Sequence, residues 1–141
     1  MIEKYGTIYK EYNEFIINNS EYNPYIAKNY TNTSSSFPFI SCQLSNMIDT
    51  DFCTIDMIER HNEMYLTFDI YTKDKSINNK KVASQVINDE LTELTLKFLG
   101  AIGMKVTLCR LTPNADTSIT RRTIQCQGLV SNTRGNIIRR W

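Results

Sequence analysis

The side chains in this 141-residue chain with chemistry to offer are four cysteines, one histidine, a run of carboxylates and a late set of arginines. Cys42, Cys53, Cys109 and Cys126 are spaced by 11, 56 and 17 positions, and none forms a C-x-x-C pair. A tetrahedral zinc site draws on closely spaced thiolates and imidazoles, and His61 is the sole imidazole. Three of the cysteines fall in stretches that read as strands, where a free thiol behaves as a small buried hydrophobe. A Ser–His or Cys–His nucleophile needs a base at hydrogen-bond range, and one histidine beside an acidic run supplies little. Asp49, Asp51, Asp56 and Glu59 raise the question of a divalent cation. Their spacing lacks the alternating oxygens and central glycine of a calcium loop, so residues 45–60 read as an irregular, solvated acidic loop. No G-x-x-x-x-G-K or G-x-G-x-x-G is present to cradle a phosphate. The expectation is a protein with no catalytic residue, no cofactor and no metal.

The arginines allow more. Arg121-Arg122, then Arg134, Arg139 and Arg140 before Trp141, place cations on a strand and the tail after it. Such groups contact a phosphate backbone without reading sequence, or they pair with carboxylates of the same chain. Net charge is +1, which excludes a global bias toward nucleic acid or anionic membrane. The halves differ: residues 1–70 carry four Lys/Arg against ten Asp/Glu, about −6, and residues 71–141 carry twelve against five, about +7. Either the two sets interleave in space, or copies associate head to tail.

The elements that must position these groups follow from periodicity. From Lys80 to Ser131 the chain reads as a long amphipathic helix, a glycine stop and two strands. Stepping 100° per residue from Ile87, Ala83, Leu91, Leu94, Phe98 and Ile102 form one apolar stripe, with Gln85, Asp89, Thr92 and Glu93 toward water. Asn78 or Asn79 can cap its start, and Gly103 can supply the left-handed residue after its end. Met104, Val106 and Leu108 then alternate with Lys105, Thr107 and Cys109 as a half-buried strand. Thr112-Pro113-Asn114-Ala115-Asp116 is turn chemistry. In the strand from Ser118 to Val130, Arg122, Ile124, Cys126, Gly128 and Val130 point inward and Arg121, Thr123, Gln125, Gln127 and Leu129 outward.

Earlier in the chain, Ile2, Tyr5, Ile8, Tyr9, Tyr12, Phe15 and Ile16 recur at helical steps, giving a tyrosine-rich helix over 2–18. Core packing is the ordinary account of that stripe; docking on a neighbouring subunit is the other. Residues 19–36 form a long polar loop, Phe37 to Leu44 a strand, and Glu63 to Thr72 a strand alternating Met64, Leu66, Phe68 and Ile70 with Tyr65, Thr67, Asp69 and Tyr71. The result is one α+β domain over 1–141, a mainly antiparallel four-stranded sheet packed by two helices, with its core over 37–131 and a basic tail over 132–141. The other sheet face carries Tyr65, Thr67, Tyr71, Thr107, Thr123, Gln125 and Gln127, a composition that suits a wet contact surface. The Met1 start lacks a basic-then-apolar leader and no apolar run approaches about 18 residues, so no passage through a membrane is expected.

Leu96-Lys97-Phe98-Leu99-Gly100-Ala101-Ile102-Gly103, the strand after it, Pro113-Asn114-x-Asp116-x-x-Ile119-x-Arg121, and a strand ending Gln127-Gly128-Leu129-Val130 form a recognisable series. With the upstream Leu66-Thr67-Phe68-Asp69-Ile70-Tyr71, this series resembles the tail-terminator (tail-completion) proteins of tailed bacteriophages of Gram-positive hosts. The resemblance covers residues 63–131; the Ser/Thr loop and the acidic segment are private to this chain. It implies a virion protein, made in the host cytoplasm, that closes into a ring, usually a hexamer, on the last ring of the tail tube. That ring ends tube polymerisation and faces the head–tail connector, with a sheath as a further partner in contractile tails and DNA passing through the lumen. The candidate subunit and tube contacts are Arg121, Arg122, Arg134, Arg139 and Arg140, with Tyr5, Tyr9 and Tyr12. Two alternatives stay open: a neck or head-completion protein of similar size, and a small nucleic-acid-binding regulator.

Overall fold

Strict alternation over residues 64–70 makes one strand the spine of the molecule. In a computed structural model describing residues 2–22, 24–27, 37–49, 61–77, 79–113, 118–131 and 137–138, Met64, Leu66, Phe68 and Ile70 are all fully buried on a single face. The elements run α1 (Ile2–Asn19), β1 (Tyr25–Ala27), β2 (Phe39–Asp49), β3 (His61–Thr72), β4 (Lys75–Ile77), β5 (Lys80–Val82), α2 (Ser84–Ile102), β6 (Lys105–Thr112), β7 (Thr120–Ser131) and β8 (Ile137–Ile138).

The main sheet has the order β1-β2-β3-β7-β6, with β8 pairing Leu129 and Val130 of β7. It corrects the four-stranded expectation in two ways. A fifth strand, β1, lies inside the stretch read as loop and pairs parallel to β2, Ile26 opposite Ile40. The polar residues on either side hid it, because a three-residue strand is too short for alternation to register. Lys75–Ile77 and Lys80–Val82 form a separate hairpin. Asn79 does not cap a helix but turns that hairpin, at φ 64°, a left-handed conformation that Asn tolerates. The acidic segment is not wholly irregular either: β2 continues to Asp49, which pairs with Asn62, after a bulge between Leu44 and Asn46. Residues 50–60, the Pro-Asn turn at 114–117 and most of the tail lie outside the described residues.

Helix α2 starts at Ser84 on an extended Ala83 that offers no side-chain cap. The cap comes from outside the helix: Asp74 Oδ1 accepts the Ser84 N–H at 2.8 Å across the hairpin. At the other end Gly103 sits at φ 86°, and its N–H and that of Met104 close the last turn on Gly100 and Leu99. The buried face is Ile87, Asn88, Leu91, Thr92, Thr95, Phe98 and Leu99. Its centre is turned by roughly 60° from the expected stripe. Thr92 is buried and Ala83 exposed, the reverse of the expectation. Small polar residues with hydrogen-bond partners pack as readily as apolar ones.

Both helices cover the face bearing Leu66 and Phe68. Tyr12 is fully buried where α1 meets α2 and β3, its ring 4.9 Å from Phe68 and 5.4 Å from Phe98. Its hydroxyl bonds Thr95 Oγ1 at 2.8 Å. Tyr9 hydroxyl donates to the Ile26 carbonyl at 2.9 Å, which fixes α1 over the β1 end of the sheet. Strand β6 carries a bulge between Val106 and Leu108. Val106 therefore faces the helices with Cys126, whereas Leu108 pairs with Gln125 on the opposite face. Cys109 returns to the helix side, opposite Ile124, yet is exposed, because β6 is the edge strand and α2 packs mainly on β3 and β7. The expectation that the strand cysteines are all buried holds for Cys42 and Cys126 only.

Candidate functional site

Two polar clusters hold the arginines of β7, one on each face of the sheet. Successive residues of a strand point to opposite faces, so Arg121 and Arg122 must separate.

On the helix side, Asn88 is fully buried and acts as the hub. Its Nδ2 donates to the carbonyls of Ile70 at 3.0 Å and Thr120 at 3.2 Å, joining α2 to β3 and β7. Its Oδ1 accepts from Arg122 Nε at 3.2 Å and Thr92 Oγ1 at 3.3 Å. Arg122 then reaches Asp89 Oδ1 through Nη2 at 2.9 Å. Thr72 Oγ1 donates to the Ser84 carbonyl at 2.8 Å, and the Ser84 and Thr120 hydroxyls meet at 2.8 Å. Above this network lies an open notch of about 140 Å³ lined by Gln85, Asp89, Leu111, Thr120 and Arg122. Its cation and its carboxylate are spent on each other. The arrangement positions α2 and offers no base beside a nucleophile.

On the other face Asp69, nearly buried, accepts Arg121 through Oδ1 from both Nε and Nη2 at 3.3 Å, and Thr123 Oγ1 at 2.7 Å. The Arg121 guanidinium lies 5.3 Å from the Tyr71 ring centre. The sheet register continues this row: Tyr71 is opposite Phe39, and Phe39 opposite Tyr25, whose rings stack at 5.7 Å and 18°. Thr112 closes it on β6, opposite Arg121, and bonds Thr123 at 2.6 Å. The outer face is thus a band of aromatic, arginine, threonine and glutamine side chains across all five strands.

A third cluster joins the hairpin to α2. Tyr22 hydroxyl donates to Glu90 Oε2, and Lys75 Nζ donates to the Tyr22 carbonyl at 2.8 Å. Burial, then the Glu90 carboxylate, pushes the Tyr22 phenol up to about 12. Burial likewise raises the phenols of Tyr12 and Tyr9, and pushes the Cys126 thiol up to about 12.

Of the expected contact residues, Arg121 and Arg122 are only about a quarter exposed (26% and 23%), each held by a carboxylate of its own chain. Tyr12 belongs to the core and presents nothing to a neighbour, which corrects its place among the candidates: the apolar stripe of α1 is taken up by α2 and β3. Tyr9 is half-buried against β1. Tyr5 lies on α1 with its side chain outside the described residues, as do Arg134, Arg139 and Arg140 altogether. Asn88, Asp69 and Asp89, the partners of the arginines, were missed. The signal for Asn88 was its helical spacing with Thr92 and Thr95, a polar row beside the apolar stripe. Among the described residues no group of three or more His, Cys, Asp or Glu is placed to hold a metal ion, and no helix is long and apolar enough to cross a membrane.

Comparison of the sequence with models of known protein families and with curated proteins finds no match.

Proposed function

We propose that this chain is the subunit of a ring that caps the tail tube of a tailed bacteriophage, ending tube polymerisation and presenting the tail-side surface for head joining. The observation that carries the reading is an open sheet whose two ends are unlike. One end is built of α1, β1 and β2, the other of the β6 edge. A molecule with unlike ends associates through a heterologous contact, and heterologous contacts generate rings when the rotation closes. The tail-terminator resemblance supports the same reading. Those of its residues that are described fall on or beside β3, α2, β6 and β7, strands that are contiguous in the sheet together with the helix that packs on them. The polar groups most suited to chemistry are engaged with one another, Arg122 with Asp89 and Asn88, Arg121 with Asp69. The protein acts by shape and performs no bond-making.

The test is solution mass at high concentration, with and without purified tail tubes, together with tube length when the protein is added during tube growth. A closed multimer and arrested growth are expected. A monomer under both conditions overturns the reading, as do particles that lack the protein yet build tails of uniform length joined to capsids.

A further inference from the structure

We infer that the consecutive residues Lys73, Asp74 and Lys75 form a clasp that couples β1 to the first turn of α2, so that both are released together when the β4–β5 hairpin is drawn away. This device is independent of the ring reading.

Each of the three side chains grips a different part of the molecule. The Lys73 ammonium lies 4.8 Å from the centre of the Phe37 ring, just ahead of β2. Asp74 Oδ1 accepts the Ser84 N–H at 2.8 Å and so caps α2. Its Oδ2 is 3.9 Å from Lys81 on the returning strand, an exposed pair that adds little. Lys75 Nζ donates to the Tyr22 carbonyl at 2.8 Å, in the link between α1 and β1. The circuit closes through Tyr22 itself, whose hydroxyl donates to Glu90 of α2. Hairpin, link and helix thus hold one another in a closed loop of contacts.

The parts so held have little hold of their own. Strand β1 pairs with β2 over three residues only. Its further ties are the Tyr25 N–H on the Pro38 carbonyl at 2.9 Å and the Tyr9 hydroxyl on the Ile26 carbonyl. Helix α2 starts on an Ala83 that offers no cap, with no acid in its first turn, so its opening N–H groups lean on Asp74. The hairpin leaves Ser76, Asn79, Lys80 and Lys81 exposed, and a two-stranded ribbon of this size is marginal alone. Segments with few buried contacts open below the free energy of global unfolding, in cooperative units. The three segments form one such unit because each closes on the other two. A contact made at the exposed end of the hairpin, at Asn79, Lys80 or Lys81, is thereby passed to the sheet edge and to α2 at once.

The experiment is native-state hydrogen exchange of the full chain, read at single amides, for Lys75→Met and Asp74→Ala. The probes are the Tyr25 N–H at β1 and the Val86 and Ile87 N–H groups of α2, which bond the Ala83 carbonyl. Lys75 bonds the link to β1 and Asp74 the start of α2, so each variant cuts one side of the clasp. A hydrogen bond to a charged group is worth about tenfold or more in an opening equilibrium, and coupling between two sites is reciprocal. Each variant is therefore expected to raise exchange about tenfold at both sets of probes while β3 and β7 keep their wild-type rates. Asp74→Asn retains an oxygen for the Ser84 N–H and is expected to exchange close to wild type at both sets. A rise confined to the side that each variant cuts, no rise at all, or an equal rise in β3 and β7 overturns the clasp. None of these results touches the ring reading, which stands or falls on solution mass and tube length.

Discussion

Replacing Asn88 by aspartate changes one atom type and should destabilise the protein strongly. Asn88 is fully buried, and its amide nitrogen donates to the Ile70 and Thr120 carbonyls at 3.0 and 3.2 Å. A carboxylate of the same shape has no donor, so both carbonyls face an oxygen. Each lost hydrogen bond costs ~0.5–1.5 kcal/mol, and a buried charge adds several more. Arg122 Nε, which already bonds Oδ1 at 3.2 Å, offsets part of that charge. The net cost of Asn88→Asp is about 3–5 kcal/mol, a large share of the ~5–15 kcal/mol that holds a domain together. Asn88→Leu loses the same bonds without adding charge and should cost ~2–3 kcal/mol. The assay is urea unfolding of both variants at pH 7 and pH 4. An aspartate held among carbonyls has its folded pKa raised above the unfolded value. It then binds its proton first in the folded state, and the deficit shrinks as pH falls. The leucine variant lacks that titration. If Asn88→Asp unfolds within 1 kcal/mol of wild type, or at a cost unchanged between the two pH values, the amide is not what fastens α2 to β3 and β7.

Two further outcomes are expected. Gly103→Ala places a Cβ at φ 86° and should cost about 1 kcal/mol by thermal unfolding; a neutral result would mean that the α2 stop relaxes without loss. Stability should fall in alkali, because burial raises the Tyr22 phenol and the Cys126 thiol to about 12. Unfolded chains release these protons near their ordinary values, about 10 for Tyr and 8.5–9 for Cys, while the native state still holds them. Stability is therefore full below about pH 9 and declines toward pH 12, by at most ~1.4 kcal/mol per pH unit for each group. Cys126→Ala should flatten the first part of the decline in a series of urea curves from pH 8 to 11. A wild-type stability constant to pH 11.5 would contradict the burial argument.

The long periodic elements were legible in the sequence because alternation and helical spacing are local properties. Residues 64–70 announced β3, Ile8–Tyr12–Ile16 announced α1, and the inward set of β7, Ile124, Cys126 and Gly128, was read correctly. What escaped depends on partners distant in sequence. The cap of α2 sits on Asp74, ten residues earlier across a hairpin, so scanning the residues next to the helix points to Asn78 or Asn79 instead. The buried face of α2 turned because Asn88, Thr92 and Thr95 find hydrogen-bond partners on β3, β7, α1 and α2 itself, which a hydrophobicity pattern does not register. One residue of bulge in β6 flipped Leu108 to the outer face, and nothing in its own neighbourhood marks that slip.

The charge asymmetry shows how chain order becomes spatial order. An acidic first half and a basic second half could have interleaved, with every carboxylate beside a guanidinium. The strand order β1-β2-β3-β7-β6 puts β1 and β2 on one side of β3 and β7 and β6 on the other, while the stretch after β3 returns to the first half: Lys75 Nζ donates to the Tyr22 carbonyl at 2.8 Å and Lys73 lies 4.8 Å from the Phe37 ring centre. Of the three ion pairs among the described residues, Lys81–Asp74 and Arg122–Asp89 lie within the second half. Only Arg121–Asp69 joins the halves, and Asp69 is on β3 itself, the boundary strand. The described ion pair between the halves therefore sits at the centre of the sheet. A single antiparallel meander in chain order would also have grown from acid to base. Here the β3–β7 pairing moves the boundary into the middle of the sheet.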